Sequence, residues 1–318
     1  MKFPSYITTA VRDRLIARVN RLHLKLRLDI EAEGEQPVFG HGRNLFHIEN
    51  WLSLHSIIKV VLRLTQLHKR GQNNCHNLRV THNEVRSEHL PAAFDGYRVL
   101  HLSDLHIDLD SNFGETLSQT VSELDYDVCV LTGDYRFLTS GSTDASMAGM
   151  KQLRQSLRGD VYAILGNHDS ICTVPLLEDM NYQLLLNESV QLRRGSDTIA
   201  LIGVDDPHFF RCDNLEKACD DVAIDAYSIL LVHSPELYKQ AASADLDLLL
   251  CGHTHGGQFC LPGGVPMMVN AECPRALCRG SWQYDKLQGY TSVGCGASIV
   301  PARFNCAPEV TIHTLHKL

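Results

Sequence analysis

Gly252-His253-Thr254-His255-Gly256-Gly257-Gln258 follows an apolar run, Leu246 to Cys251, that reads as a buried strand. Two histidines one residue apart, on a turn at a strand's carboxyl end, can aim both imidazoles the same way. The flanking glycines let the backbone turn sharply and approach a ligand closely. A single His-x-His is weak evidence of a site, so the weight falls on what the rest of the chain places at similar junctions.

Four more junctions have the same design. Val99 to Ser103 runs into Asp104-Leu105-His106, Val128 to Thr132 into Gly133-Asp134, and Val161 to Leu165 into Gly166-Asn167-His168-Asp169. Ile229 to Val232 ends at His233. Each β-branched or leucine-rich run stops at an Asp, Asn or His. Sites in α/β sheets form outside the carboxyl ends of strands, so this repetition predicts one shared cleft. Helical patterns at 112–124, 146–157, 176–184 and 215–220 alternate with the strands, and strands at 198–204, 289–293 and 310–315 follow or interleave. The predicted fold is α/β: a four-layer αββα sandwich of two mixed β-sheets flanked by helices, with an N-terminal helical extension. The extension covers residues 1–75, and the main domain covers 76–318.

Asp104, His106, Asp134, Asn167, His168, His233, His253 and His255 form a mixed nitrogen and oxygen donor set. Such donors suit Mn²⁺, Fe, Zn²⁺ or Ni²⁺ better than Ca²⁺ or a thiolate-loving metal. Seven or eight ligands, as four or five of the imidazoles take part, are too many for one ion and right for two that share a carboxylate. Paired ions about 3.5–4 Å apart are the usual device for in-line attack on phosphorus.

In that order, D-x-H, G-D, G-N-H-D, a lone His and G-H-x-H resemble the calcineurin-like metallophosphoesterases, from about Arg98 onward. The resemblance implies two divalent ions, with Mn²⁺ first among the candidates. It places Asp104, His106 and His255 on one ion, Asn167, His233 and His253 on the other, and Asp134 between them. It places His168 outside the coordination shell, on the substrate phosphate, with Asp169 accepting the other ring proton of His168 and so orienting it. Gly133-Asp134 continues as Tyr135-Arg136-Phe137 and the third motif ends in Asp169, unlike the protein Ser/Thr phosphatases. The run Gly203 to Asp206 and the stretch Pro301-Ala302-Arg303-Phe304-Asn305 look like a bacterial branch. That branch holds membrane-associated phosphodiesterases and the UDP-2,3-diacylglucosamine pyrophosphatases of lipid A synthesis. Arg303 is a candidate phosphate fork, the competing reading being a surface ion pair. The implied activity is hydrolysis of a phosphodiester or pyrophosphate bond, on a substrate such as a lipid-linked nucleotide. The alternatives are a soluble general or cyclic-nucleotide phosphodiesterase and, from another class, a protein-binding scaffold.

Composition fits this frame. The 318 residues are 44% hydrophobic and 21% charged, an ordinary globular balance, and the net charge of −8 argues against nucleic acid as a partner. Eleven scattered cysteines without a C-x-x-C pair read as buried thiols of a reducing compartment. Cys273 and Cys278 are a minor candidate for a structural metal. Nothing at the start reads as a secretory signal, and no apolar window is long enough to span a bilayer, so a cytoplasmic location is expected, including the inner face of the cytoplasmic membrane.

Residues 1–28 stand apart, with seven basic side chains against Asp13 alone. Val11, Leu15, Ile16, Val19, Leu22 and Leu26 recur at helical spacing. Two readings stay open: a peripheral element on an anionic membrane surface, or a helix packed on the domain with its arginines exposed. Residues 31–43 read as a linker, 45–67 as a second apolar helix and 69–77 as a polar connector. His101, His208 and His313 belong to no motif. Asp108 and Asp110 read as loop residues, and Asp205 and Asp206 as candidates for the rim of the cleft.

Overall fold

The apolar runs become strands. The computed structural model describes residues 7–34, 58, 60–110 and 112–318. In chain order the strands are β1 (Arg79–Ser87), β2 (Tyr97–Leu102), β3 (Val128–Leu131), β4 (Val161–Ala163), β5 (Gln183–Leu184), β6 (Glu188–Arg194), β7 (Asp197–Gly203), β8 (Ser228–Leu231), β9 (Leu248–Cys251), β10 (Cys260–Leu261), β11 (Val265–Pro266), β12 (Gly280–Tyr284), β13 (Leu287–Thr291) and β14 (Glu309–Lys317). The helices are α1 (Thr9–Gly34), α2 (His68–Cys75), α3 (Phe113–Ser122), α4 (Asp144–Ser156), α5 (Val174–Asp179), α6 (Leu215–Cys219) and α7 (Tyr238–Ser243).

Two six-stranded sheets carry the domain, ordered β1-β14-β2-β3-β4-β5 and β12-β13-β9-β8-β7-β6. Both are mixed. In the first, β2 to β5 run parallel and β14 is antiparallel to β2. In the second, β7, β8, β9 and β13 run parallel between antiparallel edges β6 and β12.

Side-chain alternation along the strands makes the layers. Val99, Val128, Val130, Ile199, Leu201, Ile229, Leu231, Leu248 and Leu250 meet between the sheets. The opposite faces of the first sheet, with Leu100, Leu102, Cys129 and Leu131, pack under Leu117, Met150, Leu153 and Leu177 of α3, α4 and α5. Ala200, Leu230 and Leu249 of the second sheet pack under α6 and α7. The result is the expected four-layer sandwich. His101 and His313, which no motif claims, sit in it as a buried polar chain. Asn83 Nδ2 meets His313 Nδ1, His313 Nε2 lies 3.3 Å from His101 Nδ1, and His101 Nε2 lies 2.9 Å from Thr132 Oγ1. Full burial pushes the His101 imidazole down to about 3, so it works as a neutral ring.

Several local expectations need correcting. Residues 31–34 are still helix rather than linker, and 69–75 belong to α2 rather than to a connector. The helix expected over 176–184 ends with α5 at Asp179, because Asn181 turns with φ 65 and the chain enters β5. Strands β6 (ESVQLRR) and β12 (GSWQY) escaped notice because an antiparallel edge strand with a wet face reads as polar. The second apolar helix lies largely outside the described residues; 60–64 are helical.

Helix α1 packs on the first sheet's outer layer. Leu15, Val19, Leu24 and Leu28 are fully buried there. Its axis breaks at Asn20 (φ 66, ψ 169), whose Oδ1 accepts the N–H groups of Leu22 and His23 and restarts the helix. Arg14 pairs with Glu178 and Asp179, and Arg18 with Glu178 and Glu188. Among the described residues no helix is long and apolar enough to cross a membrane.

Candidate metal centre

The five junctions end at one place. Strands β2, β3 and β4 of the first sheet and β8 and β9 of the second deliver their following loops to a single cleft across the seam. His255 Nε2 lies 3.4 Å from Asp104 Oδ1 and 3.2 Å from His106 Nε2. Asn167 Oδ1 lies 2.9 Å from both His233 Nε2 and His253 Nδ1, which are 3.2 Å from each other. Asp134 Oδ2 stands between the groups, 3.3 Å from His233 Nε2 and 3.8 Å from His106 Nε2. Asp104, His106 and His255 thus form one cluster able to hold an ion, and Asp134, His233 and His253 another.

Hydrogen bonds behind the rings set their tautomers. His106 Nδ1 donates to the Arg136 carbonyl (2.8 Å) and His233 Nδ1 to the Thr132 carbonyl (2.7 Å). Nε2 of each ring is therefore the nitrogen that faces the cleft. Donor atoms 3.2–3.4 Å apart match the edge of a coordination polyhedron whose bonds are about 2.1 Å. The residues fit two divalent ions.

Charge in the cleft is balanced among the donors. Burial alone would push the Asp134 carboxyl up, but the charges of His233 and His168, with the His233 hydrogen bond, hold it well below the carboxylate range. Burial pushes Asp104 up, to about 6, and pushes His253 and His255 down. Depressed imidazoles are already deprotonated near neutrality, the form a metal needs.

The backbone is bent to reach this arrangement. Asp104 (φ 51), His106 (φ 39), Asp134 (φ 60), His253 (φ 68) and His255 (φ 48) all sit in the left-handed region. Each such residue costs about 1–3 kcal/mol unless its surroundings impose the conformation. Close approach adds a demand for glycine. A Cβ on Gly252 would fall 1.9 Å from Ser103 Oγ and 2.2 Å from Asp104 Oδ2, and one on Gly166 would fall 2.2 Å from Asp134 Oδ1.

His168 stands beside these donor groups. Its Nδ1 meets the Phe137 carbonyl at 2.6 Å, its backbone N–H donates to Asp134 Oδ1, and its Nε2 is 3.9 Å from Asp134 Oδ2. The role expected for Asp169 needs correction. It is the Phe137 carbonyl that meets the ring proton of His168, while the Asp169 oxygens accept the backbone N–H groups of Asp134, Tyr135 and Gly166. Asp169 splices the second and third motif loops together. Its oxygens serve three amides, while Nδ1 of the His168 ring is already held by the Phe137 carbonyl.

Arg303 is corrected too. It is neither a phosphate fork nor a surface pair, because it is fully buried. Its Nε and Nη2 donate to the Gly296 carbonyl, Nη2 also donates to the carbonyl of Val293, and Nη2 lies 3.3 Å from His255 Nδ1. It braces the wall behind His255. Arg303→Lys, which cannot reproduce the planar fork, is expected to cost about 3–5 kcal/mol of stability while KM stays near wild type in the metal-loaded fraction. Thermal denaturation and steady-state kinetics check this. A large rise in KM at unchanged melting temperature would return Arg303 to the substrate.

Other groups were missed. His208 follows β7, at the same end as the ligands. Its ring centroid is 4.1 Å from that of His253, and its Nδ1 is 2.8 Å from Glu236 Oε1. The signal was available, since Asp205-Asp206 also closes a strand. Asp206 itself caps the backbone at Phe209 and Phe210, and Asp205 is buried, so neither lies on the rim. Asp108 accepts the Phe137 N–H, and Asp110 faces His76 at 3.1 Å. Cys273 and Cys278 face each other at 3.6 Å but join no cluster of metal-ligating side chains among the described residues.

An αββα sandwich with this donor cluster at the strand ends defines a metal-dependent phosphoesterase. The chain belongs to the calcineurin-like phosphoesterases: that family's sequence profile matches residues 97–257, from β2 through the turn after β9. The uncharacterized metallophosphoesterase YkoQ of Bacillus subtilis is 29% identical over 227 residues, 68% of this chain and 83% of its own length. The Bos taurus transmembrane protein with metallophosphoesterase domain is 31% identical over 260 residues, 73% of this chain and 56% of the relative. Phosphodiesterase YaeI of Escherichia coli is 27% identical over 229 residues, 68% of this chain and 81% of its own length. The protein is a phosphoester hydrolase of a family that works with a dinuclear metal centre.

Proposed function

We propose that the protein hydrolyses a phosphodiester or pyrophosphate bond with two Mn²⁺ ions, on a lipid-linked nucleotide such as UDP-2,3-diacylglucosamine. The observation that carries the core of this reading is Asp134, whose Oδ2 faces both donor groups at once. Asp104, His106 and His255 hold one ion; Asn167, His233 and His253 hold the other. When bound, such a pair activates water and neutralises charge developing on phosphorus-bound oxygens. His168, with Nδ1 fixed by the Phe137 carbonyl, turns Nε2 toward the Asp134 side of the cleft, where it contacts the phosphoryl group and gives a proton to the leaving oxygen. The burial of the donors lowers the local dielectric and strengthens each of these contacts.

Phosphodiesterase YaeI lends support to a diester, and a membrane protein among the relatives lends support to work near a bilayer. A peripheral contact with an anionic membrane surface belongs to the same proposal. Its support is not α1, whose Arg14 and Arg18 are paired with carboxylates, but the exposed Val60, Val61 and Leu64 beside exposed Arg63, Lys69 and Arg70.

The test compares Mn²⁺-loaded protein on bis-p-nitrophenyl phosphate, p-nitrophenyl phosphate and UDP-2,3-diacylglucosamine presented in phosphatidylglycerol vesicles. The lipid nucleotide should be the best substrate and the protein should sediment with the vesicles. His168→Ala should lower kcat by about 10²-fold with its metal content unchanged. Faster cleavage of soluble diesters without vesicle binding would favour a soluble phosphodiesterase. A protein that binds no metal and cleaves none of the three would defeat the catalytic reading in favour of a scaffold.

A further inference from the structure

We propose that α1, which lies outside the span matched to the family, is a working part of the site, with Arg27 and Glu31 as positioning residues for the Asn167–His168 turn. The proposal rests on the proposed roles of Asn167 as a metal ligand and His168 as the acid.

Three side chains one helical turn apart, His23, Arg27 and Glu31, share a face of α1. Glu31 accepts the Ser170 hydroxyl (2.7 Å) and the Ile171 N–H (2.8 Å). Arg27 Nη2 donates to the Asp169 carbonyl at 3.0 Å and lies 3.5 Å from Asp205 Oδ1. The guanidinium carbon is 3.4 Å over the Phe210 ring. His23 Nε2 is 2.7 Å from Asp205 Oδ2. One helix face therefore grips residues 169–171, directly after Asn167-His168, and the loop after β7, which carries His208 to the ring of His253. These two loops flank the same metal position.

The chemistry of that face is wrong for a mere brace. Arg27 is fully buried, and among the described residues its Nε and Nη1 have no hydrogen-bond partner, with Glu31 Oε1 4.0 Å from Nε. An incompletely satisfied buried cation destabilises relative to an apolar side chain of similar size. Leu15, Val19, Leu24 and Leu28 already supply apolar docking, and Arg14 and Arg18 supply ion pairs at the helix's other end. What Arg27 and Glu31 add is direction: a donor on the Asp169 carbonyl and acceptors on the Ile171 N–H and the Ser170 hydroxyl, in the segment directly after Asn167 and His168. A displacement of about 1 Å at a reacting group costs up to about 10²-fold in rate.

The experiment uses the full chain as wild type, Arg27→Met, Arg27→Lys, Glu31→Ala, Glu31→Gln and Arg18→Ala. It reads Mn²⁺ affinity by calorimetry, kcat and KM on bis-p-nitrophenyl phosphate, and melting temperature. Arg27→Met and Glu31→Ala should lower kcat about tenfold with KM near wild type, and weaken one of the two Mn²⁺ sites about tenfold. Glu31→Gln should recover most of both, since its amide oxygen still accepts the Ile171 N–H. Arg18→Ala should lower the melting temperature alone. Should Glu31→Ala not fold, Arg27→Lys against Glu31→Gln decides by the same readings. Variants that melt earlier yet keep wild-type kcat and both Mn²⁺ affinities would overturn the proposal. Wild type that binds two Mn²⁺ and cleaves no diester would overturn the catalytic reading alone, leaving α1 to be judged on Mn²⁺ affinity. Wild type that binds no Mn²⁺ would overturn both.

Discussion

Asp134→Ala should retain little of either ion and lose about 10⁴-fold in kcat/KM, the largest effect of any single substitution in the chain. Its carboxylate faces both donor groups, through Oδ2 at 3.3 Å from His233 and 3.8 Å from His106, while Oδ1 accepts the His168 N–H. Removing it takes away the negative charge that the two proposed ions would share and the acceptor that places the proposed acid. Charge stabilisation by bound metal is worth several kcal/mol at the transition state, and each 1.4 kcal/mol is tenfold in rate. Asp134→Asn separates shape from charge. It keeps the His168 N–H bond, so a loss as deep as that of the alanine variant would assign the effect to charge. Metal analysis after gel filtration and steady-state diesterase kinetics provide the numbers. An Asp134→Ala protein that still carries two ions and turns over within tenfold of wild type would remove Asp134 from the centre.

Gly252→Ala should come next, with about 10³-fold lost in kcat/KM and one ion missing. The added methyl would lie 1.9 Å from Ser103 Oγ and 2.2 Å from Asp104 Oδ2. Neither neighbour is free to yield. Ser103 Oγ accepts the Thr132 hydroxyl at 2.7 Å, and Asp104 accepts the His253 N–H at 3.0 Å. The wedge therefore moves Asp104 away from His255 and His106. Overpacking of this kind costs about 1–3 kcal/mol, so the fold should survive while the centre does not. Gly114→Ala is the control: in α3 its Cβ would meet Ile107 at an ordinary 3.5 Å, and the helix should gain slightly. Equal metal content and activity in both glycine variants would mean that the backbone between the two motifs is soft.

The donors that meet in the cleft were legible because each follows a short apolar run, where local patterning and sheet chemistry point the same way. What was not legible involves partners far apart in sequence or groups that bind backbone. Asp169 serves amides of residues 134, 135 and 166, and Arg303 serves carbonyls of 293 and 296. A side chain's letter does not reveal that its partner is a peptide group. The basic excess of residues 1–28 left a membrane surface and a packed helix equally open, because Glu178, Asp179 and Glu188 lie about 170 residues downstream. Edge strands β6 and β12 were lost for want of an apolar period.

The place of β14 has a consequence for how the chain is made. It pairs on one side with β1 and on the other with β2, yet follows β2 by roughly 200 residues. A ribosome adding about 5–20 residues per second needs about 10–40 seconds to cover that interval. Throughout it, the edge of β2 that β14 will cover stands open on the nascent chain, next to the loop that carries Asp104 and His106. Until β14 covers it, that edge is a template for strand addition by other chains.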